Sequence, residues 1–183
     1  LPLSMDAAEQ AVADVRRWLE RAVIGLNLCP FAKAVTVKGQ VHFAASAAGD
    51  AAGILRDLER EIGALLAAPP QERDTTLLVI PHGMADFLAF NDLAGRAERL
   101  VRKRGLEGVL QVASFHPRFT FAGTDEDDIT NFTNRAPHPV LHLLREESLD
   151  RAVEAFPDAA DIYERNMELL RRLGPQGWEA LDV

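Results

Sequence analysis

Hydrophobic and polar residues follow two recurring patterns along the chain, and these patterns predict its helices and strands. In some segments apolar residues recur every three or four positions, as on one face of a helix, while in others they alternate or form short apolar runs typical of strands. Helices are predicted at 6–24, 50–68, 86–104, 148–156 and 159–173. Strands are predicted at 34–43, where the alternation indicates a half-exposed strand, and at 75–82, 108–116 and 139–146, where apolar runs indicate buried ones.

The order of these elements is typical of an α/β protein. Helical crossovers join the first three strands, so those strands are expected to run parallel. No helix separates the last two strands, so the fourth is expected to run antiparallel to the third. We therefore predict a single-domain α/β sandwich over residues 1–183, with a small mixed, mostly parallel sheet of about four strands and helices packed on it. Residues 1–5 are expected to be disordered or vector-derived.

Composition narrows the classes of partner. The net charge is −8, with 20 basic against 28 acidic residues, which disfavours nucleic acid because phosphate backbones need a basic surface. No apolar run approaches the ~20 residues that span a membrane, and the N-terminus shows no secretory signal. The single cysteine, Cys29, forms no intrachain disulfide. A cytoplasmic protein without nucleic-acid or membrane partners is expected, and its oligomeric state is left open.

Polar residues are expected to converge at one edge of the predicted sheet. His82 and His116 follow the second and third strands, and an antiparallel fourth strand would bring His138 back to the same edge. The carboxyl ends of parallel strands are the usual ligand site in open α/β sheets. We call this edge, with the loop 116–138, the rim. The loop is too long for a simple connection in a compact domain.

One hypothesis is an enzyme that acts on a small anionic molecule, a carboxylate or a phosphate, at the rim. Arg135, with Asn131 and Asn134, would orient the anion, and His116 would act as general acid or base. Equally, Arg135 could pair with a loop carboxylate and hold the loop in place.

In the same scheme, Asp128 or Asp127 would fix the tautomer of His116. Cys29 would be the nucleophile if it reaches the rim. The parallel arrangement places Cys29 near the opposite edge, so a buried structural cysteine is an equal alternative.

The alternative hypothesis is a non-catalytic metal- or ligand-binding protein, in which His82, His116 and Asp127 are ligands and Cys29 is structural. The cofactor is unknown, and a divalent metal is the candidate. A scaffold role through the acidic helices ranks third. The other two histidines are expected to be structural: His142, among leucines, in the core, and His42 in solvent.

Three segments carry a family resemblance: WLERAVIGLNLCPFAKAV (18–35), LQVASFHPRFTFAGTDEDDITNFTNRAPHPVLHLLREESLDRAV (110–153) and IYERNMELLRRLG (162–174). Together they resemble an uncharacterised bacterial family, domain of unknown function 1415. The resemblance implies a single-domain bacterial protein and transfers no reaction, cofactor or site residue. Ala136-Pro137-His138 departs from the serine and tyrosine expected in many relatives, which makes His138 the weakest member of the rim.

Overall fold

Except at residues 32–37, the helices lie close to their predicted positions. A computed structural model describes residues 5–155, 158 and 161–183. The first helix, α1, continues without interruption into a wider π-helical segment, Leu19–Ile24. The helices are α1 Met5–Trp18, α2 Ala32–Val37, α3 Ala51–Ala67, α4 Phe87–Lys103, α5 Glu146–Ala155 and α6 Ile162–Glu179, with a short 3-10 segment at Ile129–Asn134.

Within the described residues, four strands form one mixed sheet. They are β1 Val41–Ala45, β2 Thr75–Val79, β3 Leu110–Phe115 and β4 Val140–Arg145, in the order β1-β2-β4-β3. β1 and β2 pair in parallel, and β4 pairs antiparallel with both of its neighbours. The prediction of three co-directional strands and a reversed fourth is therefore confirmed. Because β4 lies between β2 and β3, two of the three pairings are antiparallel although three strands point the same way.

The two faces of the sheet are covered differently. On one face, α3 and α4 bury a continuous apolar core against β2 and β4, including Ile54, Leu58 and Leu141. On the other face, α1 and the π-helical segment pack on β1 and β2 through Val15 and Trp18. Burial of each large apolar side chain contributes about 1.5–3 kcal/mol to the stability of the folded chain, relative to leaving it exposed. The helix α1 is narrower than the sheet, and this leaves room beside it.

The strand predicted at 34–43 was wrong in its first half. Residues Ala32–Val37 form α2, and only the segment from Val41 is a strand. Gly39 ends the helix in a left-handed conformation (φ +67°), and the Gln40 amide donates to the Val35 carbonyl at 2.9 Å. Glycine favours this helix stop because it has no Cβ to strain the left-handed backbone. The alternation of small apolar residues here mimicked a strand.

The C-terminal helix α6 contains the break that its sequence predicts. Gly174 leaves helical geometry (φ 69°, ψ 173°), and a second helical piece follows Pro175 and runs to Glu179. The ends of the two predicted tail helices at residues 156, 159 and 160 lie outside the described residues. No helix in the described part of the chain is long and apolar enough to cross a membrane.

Candidate functional site

The rim has the topology that the sequence predicts. Val79 at the end of β2 and Phe115 at the end of β3 both pair with Val140 at the start of β4. The loop from β1 to α3, the loop from β2 to α4 and the 116–138 loop between β3 and β4 therefore all lie at the same edge of the sheet. His82 is exposed there, in a turn where Gly83 adopts φ +82° and a Cβ at Gly83 would overlap the backbone of Gly49.

His116 is buried at the rim, with only 1% of its surface exposed. Its Nε2 lies 2.7 Å from the Met84 carbonyl, and its Nδ1 accepts from the Arg118 amide at 2.9 Å. A ring that accepts at Nδ1 must carry its proton on Nε2 and donate it to the carbonyl. Burial lowers the pKa of His116, an effect that the bond to Met84 partly opposes. Both ring nitrogens of this neutral imidazole are therefore committed to backbone groups.

Arg135 holds the loop rather than facing outward. Its Nε donates to the Phe119 carbonyl at 3.0 Å, its Nη2 donates to the Glu126 carbonyl, and its guanidinium lies 4.5 Å from the ring centre of Phe132. The main-chain oxygens at 119 and 126 lie on the outgoing part of the loop, and Arg135 lies on the returning part. The side chain thus links the two parts of the loop.

The two asparagines also bond the loop to itself. Asn131 is fully buried: its Oδ1 accepts from the Phe121 amide at 2.9 Å, and its Nδ2 donates to the Asp125 carbonyl at 2.8 Å. Asn134 Nδ2 donates to the Ser114 carbonyl at 3.0 Å. Buried amides bonded in this way order the backbone of a loop. The role of Arg135, Asn131 and Asn134 in holding a substrate stays a prediction, and the contacts favour the loop-holding alternative.

The hydrogen bonds of the His116 ring go to backbone groups and not to Asp127 or Asp128, the two aspartates proposed to fix its tautomer. Asp128 begins the 3-10 segment by accepting from the Thr130 amide at 2.9 Å and the Thr130 hydroxyl at 2.7 Å, and the amide and hydroxyl bonds of Thr130 lower the pKa of the carboxyl. Asp127 is exposed. His138 Nε2 lies 2.9 Å from Asp14 Oδ2 and ties α1 to the chain before β4.

The residues proposed as metal ligands in the alternative hypothesis do not form a ligand set. Among the residues that the structure describes, no group of three histidine, cysteine or acidic side chains is placed to hold a metal ion. His82, His116 and Asp127, all of them described, therefore do not come together as three ligands.

Cys29 lies on the other face of the sheet from His116. Cys29 packs against the core beside Trp18, whereas the His116 ring lies between Phe87 and Phe90 of α4, with centroids 5.4 and 5.0 Å away. Burial raises the pKa of the Cys29 thiol, so the thiol is protonated at neutral pH. Its proposed role as a nucleophile stays a prediction, and His116 is not placed to assist it.

Cys29 instead lines a cavity of about 530 Å³ on the α1 face of the sheet. We call it the sheet-face cavity. Its floor is formed by side chains from all four strands, and its walls come from the π-helical segment, the loop before α2, α2 itself, α5 and the start of α6. Apolar side chains dominate the lining, among them Leu77, Ala113, Phe31 and Leu149. The cavity extends toward Thr75 and Leu144, at the opposite end of the strands from the rim.

The loop that carries Cys29 is anchored from a distant helix. The buried Asn166 of α6 donates from Nδ2 to the Leu28 carbonyl at 2.8 Å. This bond holds one wall of the sheet-face cavity against α6. Asn166 could not be recognised from the sequence, because a lone asparagine within an amphipathic helix gives no signal of a partner 138 positions away.

His142 is the main polar side chain on the cavity floor. It is partly buried in the middle of β4, paired with Leu77 and Ala113. Its Nε2 lies 2.6 Å from Thr75 Oγ1, and that hydroxyl donates to the Leu143 carbonyl at 2.7 Å. Desolvation by burial lowers the pKa of His142 to about 4.

The prediction placed His142 in the core, and the structure places it at the boundary between core and cavity. Strand alternation does assign His142 to the same face as Val140 and Leu144. The alternation of His142 with apolar residues therefore predicts which face of the sheet carries the histidine. It does not predict that a cavity lies above that face.

Comparison with known proteins gives one family and nothing further. A family model described as a protein of unknown function (DUF1415) matches residues 10–180. No match is found among curated proteins or among solved structures.

Proposed function

Since the chain belongs to this family, DUF1415, which carries no assigned function, we propose from its own geometry that it binds a small, largely apolar molecule in the sheet-face cavity. The single observation that carries the proposal is the cavity itself, about 530 Å³ between the sheet and the segments around it. Pockets for small molecules commonly measure about 300–1,000 Å³ and combine an apolar lining with a few polar groups.

The lining of the cavity supports an apolar ligand. Aliphatic and aromatic side chains form most of it, and its polar groups are few: the indole N–H of Trp18 and the side chains of Cys29, Thr36, Asp74, Thr75, His142, Arg145 and Ser148. Apolar surface transferred from water to such a lining gains about 25 cal/mol for each Å² buried. A ligand with a rigid hydrocarbon body would therefore gain most of its affinity from contact with the walls.

The single cysteine provides a site-specific test of this proposal. Because Cys29 is the only thiol in the chain and lines the cavity, the rate of its modification by N-ethylmaleimide reports on the cavity alone. Naphthalene is the probe ligand. We expect naphthalene to slow the modification of Cys29 in proportion to the occupancy of the cavity. An unchanged rate at saturating naphthalene would contradict the proposal.

Two variants locate the effect. Ala113→Phe places a ring on the cavity floor and should abolish protection by naphthalene. Ala89→Phe is the matched control, because Ala89 is exposed on α4 at the other face of the sheet. It should leave protection unchanged. Thermal unfolding of both variants verifies that each remains folded.

The enzyme hypothesis for the rim stays a prediction. No contact at the rim favours it over loop stabilisation, since His116, Arg135 and Asn131 are each bonded to backbone groups. We propose the sheet-face cavity as the functional site in preference to the rim.

A further inference from the structure

The hydrogen bonds around His142 define which end of its ring faces the cavity. Thr75 Oγ1 lies 2.7 Å from the Leu143 carbonyl, which only accepts, so the single hydroxyl proton of Thr75 points to that carbonyl. The hydroxyl oxygen must then accept from His142 Nε2, 2.6 Å away. The imidazole therefore carries its proton on Nε2, and Nδ1 bears a free lone pair.

The other ring nitrogen, Nδ1, has no partner among the described residues. His142 lines the cavity, and its Nδ1 makes no hydrogen bond to any part of the chain that the structure describes. Since burial holds the pKa of His142 near 4, the ring is neutral at pH 7 and Nδ1 is purely an acceptor. An acceptor on an apolar floor is suited to a ligand that donates.

The charged groups beside His142 disfavour an anion. Arg145 lines the cavity, but its Nη2 already donates to the carbonyls of Leu65, Ala68 and Arg73. Asp74 borders the cavity, and its carboxylate accepts from Ser148 Oγ at 2.5 Å. A bound anion would lie near the Asp74 carboxylate and the lone pair of His142 Nδ1, whereas the Nη2 of Arg145 is already bonded to carbonyls, and burial of a poorly paired charge is costly.

Resting on the proposed function, we infer that the sheet-face cavity selects an uncharged hydrogen-bond donor, an alcohol, a phenol or an N–H group on an apolar body, by donation to His142 Nδ1. Thr75 is a positioning residue that fixes the tautomer of the ring. The ligand class thereby differs from the carboxylate or phosphate that the rim hypothesis requires.

Three probes of similar size test the selection: 2-naphthol, which donates; 2-methoxynaphthalene, which only accepts; and 2-naphthoate, which is anionic. Their dissociation constants are measured with the wild-type chain at pH 7 by protection of Cys29 from N-ethylmaleimide. We expect 2-naphthol to bind about three- to tenfold more tightly than 2-methoxynaphthalene, as one net hydrogen bond provides. 2-Naphthoate should bind most weakly.

Variants assign the preference to its residues. His142→Leu should bring 2-naphthol and 2-methoxynaphthalene to equal affinity, and Thr75→Val should reduce the difference because the ring then takes either tautomer. Ala89→Phe is the control, since Ala89 is exposed on α4 at the other face of the sheet, and it should keep the preference. The ¹⁵N NMR spectrum of the His142 ring, assigned with His142→Leu, should show the Nε2–H tautomer in the wild type and a mixture in Thr75→Val.

The outcomes separate this inference from the proposed function. Equal binding of 2-naphthol and 2-methoxynaphthalene, or tightest binding of 2-naphthoate, would overturn the donor selection while leaving a ligand cavity. Absence of protection by all three probes and by naphthalene would overturn both. The ranking on the wild-type chain decides the matter even if a variant fails to fold.

Discussion

The rim loop and the sheet-face cavity differ in how the polarity of their sequences relates to the hydrogen bonding of their polar side chains. The rim loop is rich in asparagine, arginine, aspartate and histidine, yet the side chains of Asn131, Arg135 and His116 bond to backbone groups of the loop or its neighbours. The cavity is lined mainly by apolar residues, yet it contains a ring nitrogen, His142 Nδ1, that bonds to none of the described residues. Polarity in sequence therefore does not by itself indicate an accessible polar group.

The difference has a physical origin in the backbone. A long loop with little regular structure leaves amides and carbonyls that need partners, and short polar side chains provide them. A strand satisfies its backbone through the sheet, so a polar side chain on its face is left to find a partner elsewhere. His142 finds one for Nε2 only.

The sharpest test of the comparison is removal of the rim histidine. His116→Ala deletes a buried ring between two phenylalanines and leaves the Met84 carbonyl and the Arg118 amide without their partner. We expect a loss of about 3–4 kcal/mol in the free energy of unfolding, measured by urea denaturation. His82→Ala, at an exposed position, should change it by less than about 0.5 kcal/mol. Equal stability of the two variants would show that the rim does not depend on His116.

The next largest effect is a pH dependence from His142. In the folded chain its pKa is about 4 against an ordinary 6.5, so between these values the unfolded chain binds more protons and stability rises with pH. We expect up to about 3 kcal/mol to be lost as pH falls from 6.5 to 4, because 1.36 kcal/mol corresponds to one pKa unit. Urea denaturation at several pH values measures it. His142→Leu should flatten this part of the curve; an identical slope in the variant would assign the dependence to other groups.

The smallest expected effect concerns the loop itself. Arg135→Ala removes the donors to the carbonyls of Phe119 and Glu126 and should cost about 1–2 kcal/mol. Hydrogen exchange of the amides in the 116–138 loop should accelerate. Arg151→Ala breaks an exposed pair with Glu147 and, as the control, should cost less than about 0.5 kcal/mol. Unchanged exchange in Arg135→Ala would return this side chain to the pool of candidate ligand groups.

The sequence predicts where the helices and strands lie better than it predicts which strands pair. Apolar runs locate β2, β3 and β4, and the helical crossovers establish the strand directions. The position of β4 between β2 and β3 was not predicted, because pairing depends on the whole sheet and not on local pattern. The alternation of Val35 and Val37 predicts a strand where the chain forms α2, because a helix of six residues is too short to show its period.

The candidate site was harder to predict for a similar reason. Alternation in β4 assigns His142 to a face of the sheet, but whether that face is covered depends on the width of α1 and the paths of α2 and α5. The parallel arrangement predicts that Cys29 lies near the opposite edge from the rim histidines, whereas the structure separates Cys29 from His116 by the face of the sheet: Cys29 packs on the α1 face and His116 against α4. Strand direction alone does not contain that difference.

The strand order also governs the sequence of events during synthesis. The pairing partners β1 and β2 are both made early, but within the described sheet β3 has β4 as its sole hydrogen-bonded neighbour, and β4 is made last. A nascent chain that ends before Val140 therefore exposes an open edge on β2 and an unpaired β3, both prone to pairing with other chains. The last strand closes the sheet and, through His142, completes the floor of the cavity, so the cavity forms only when nearly the whole polypeptide has left the ribosome.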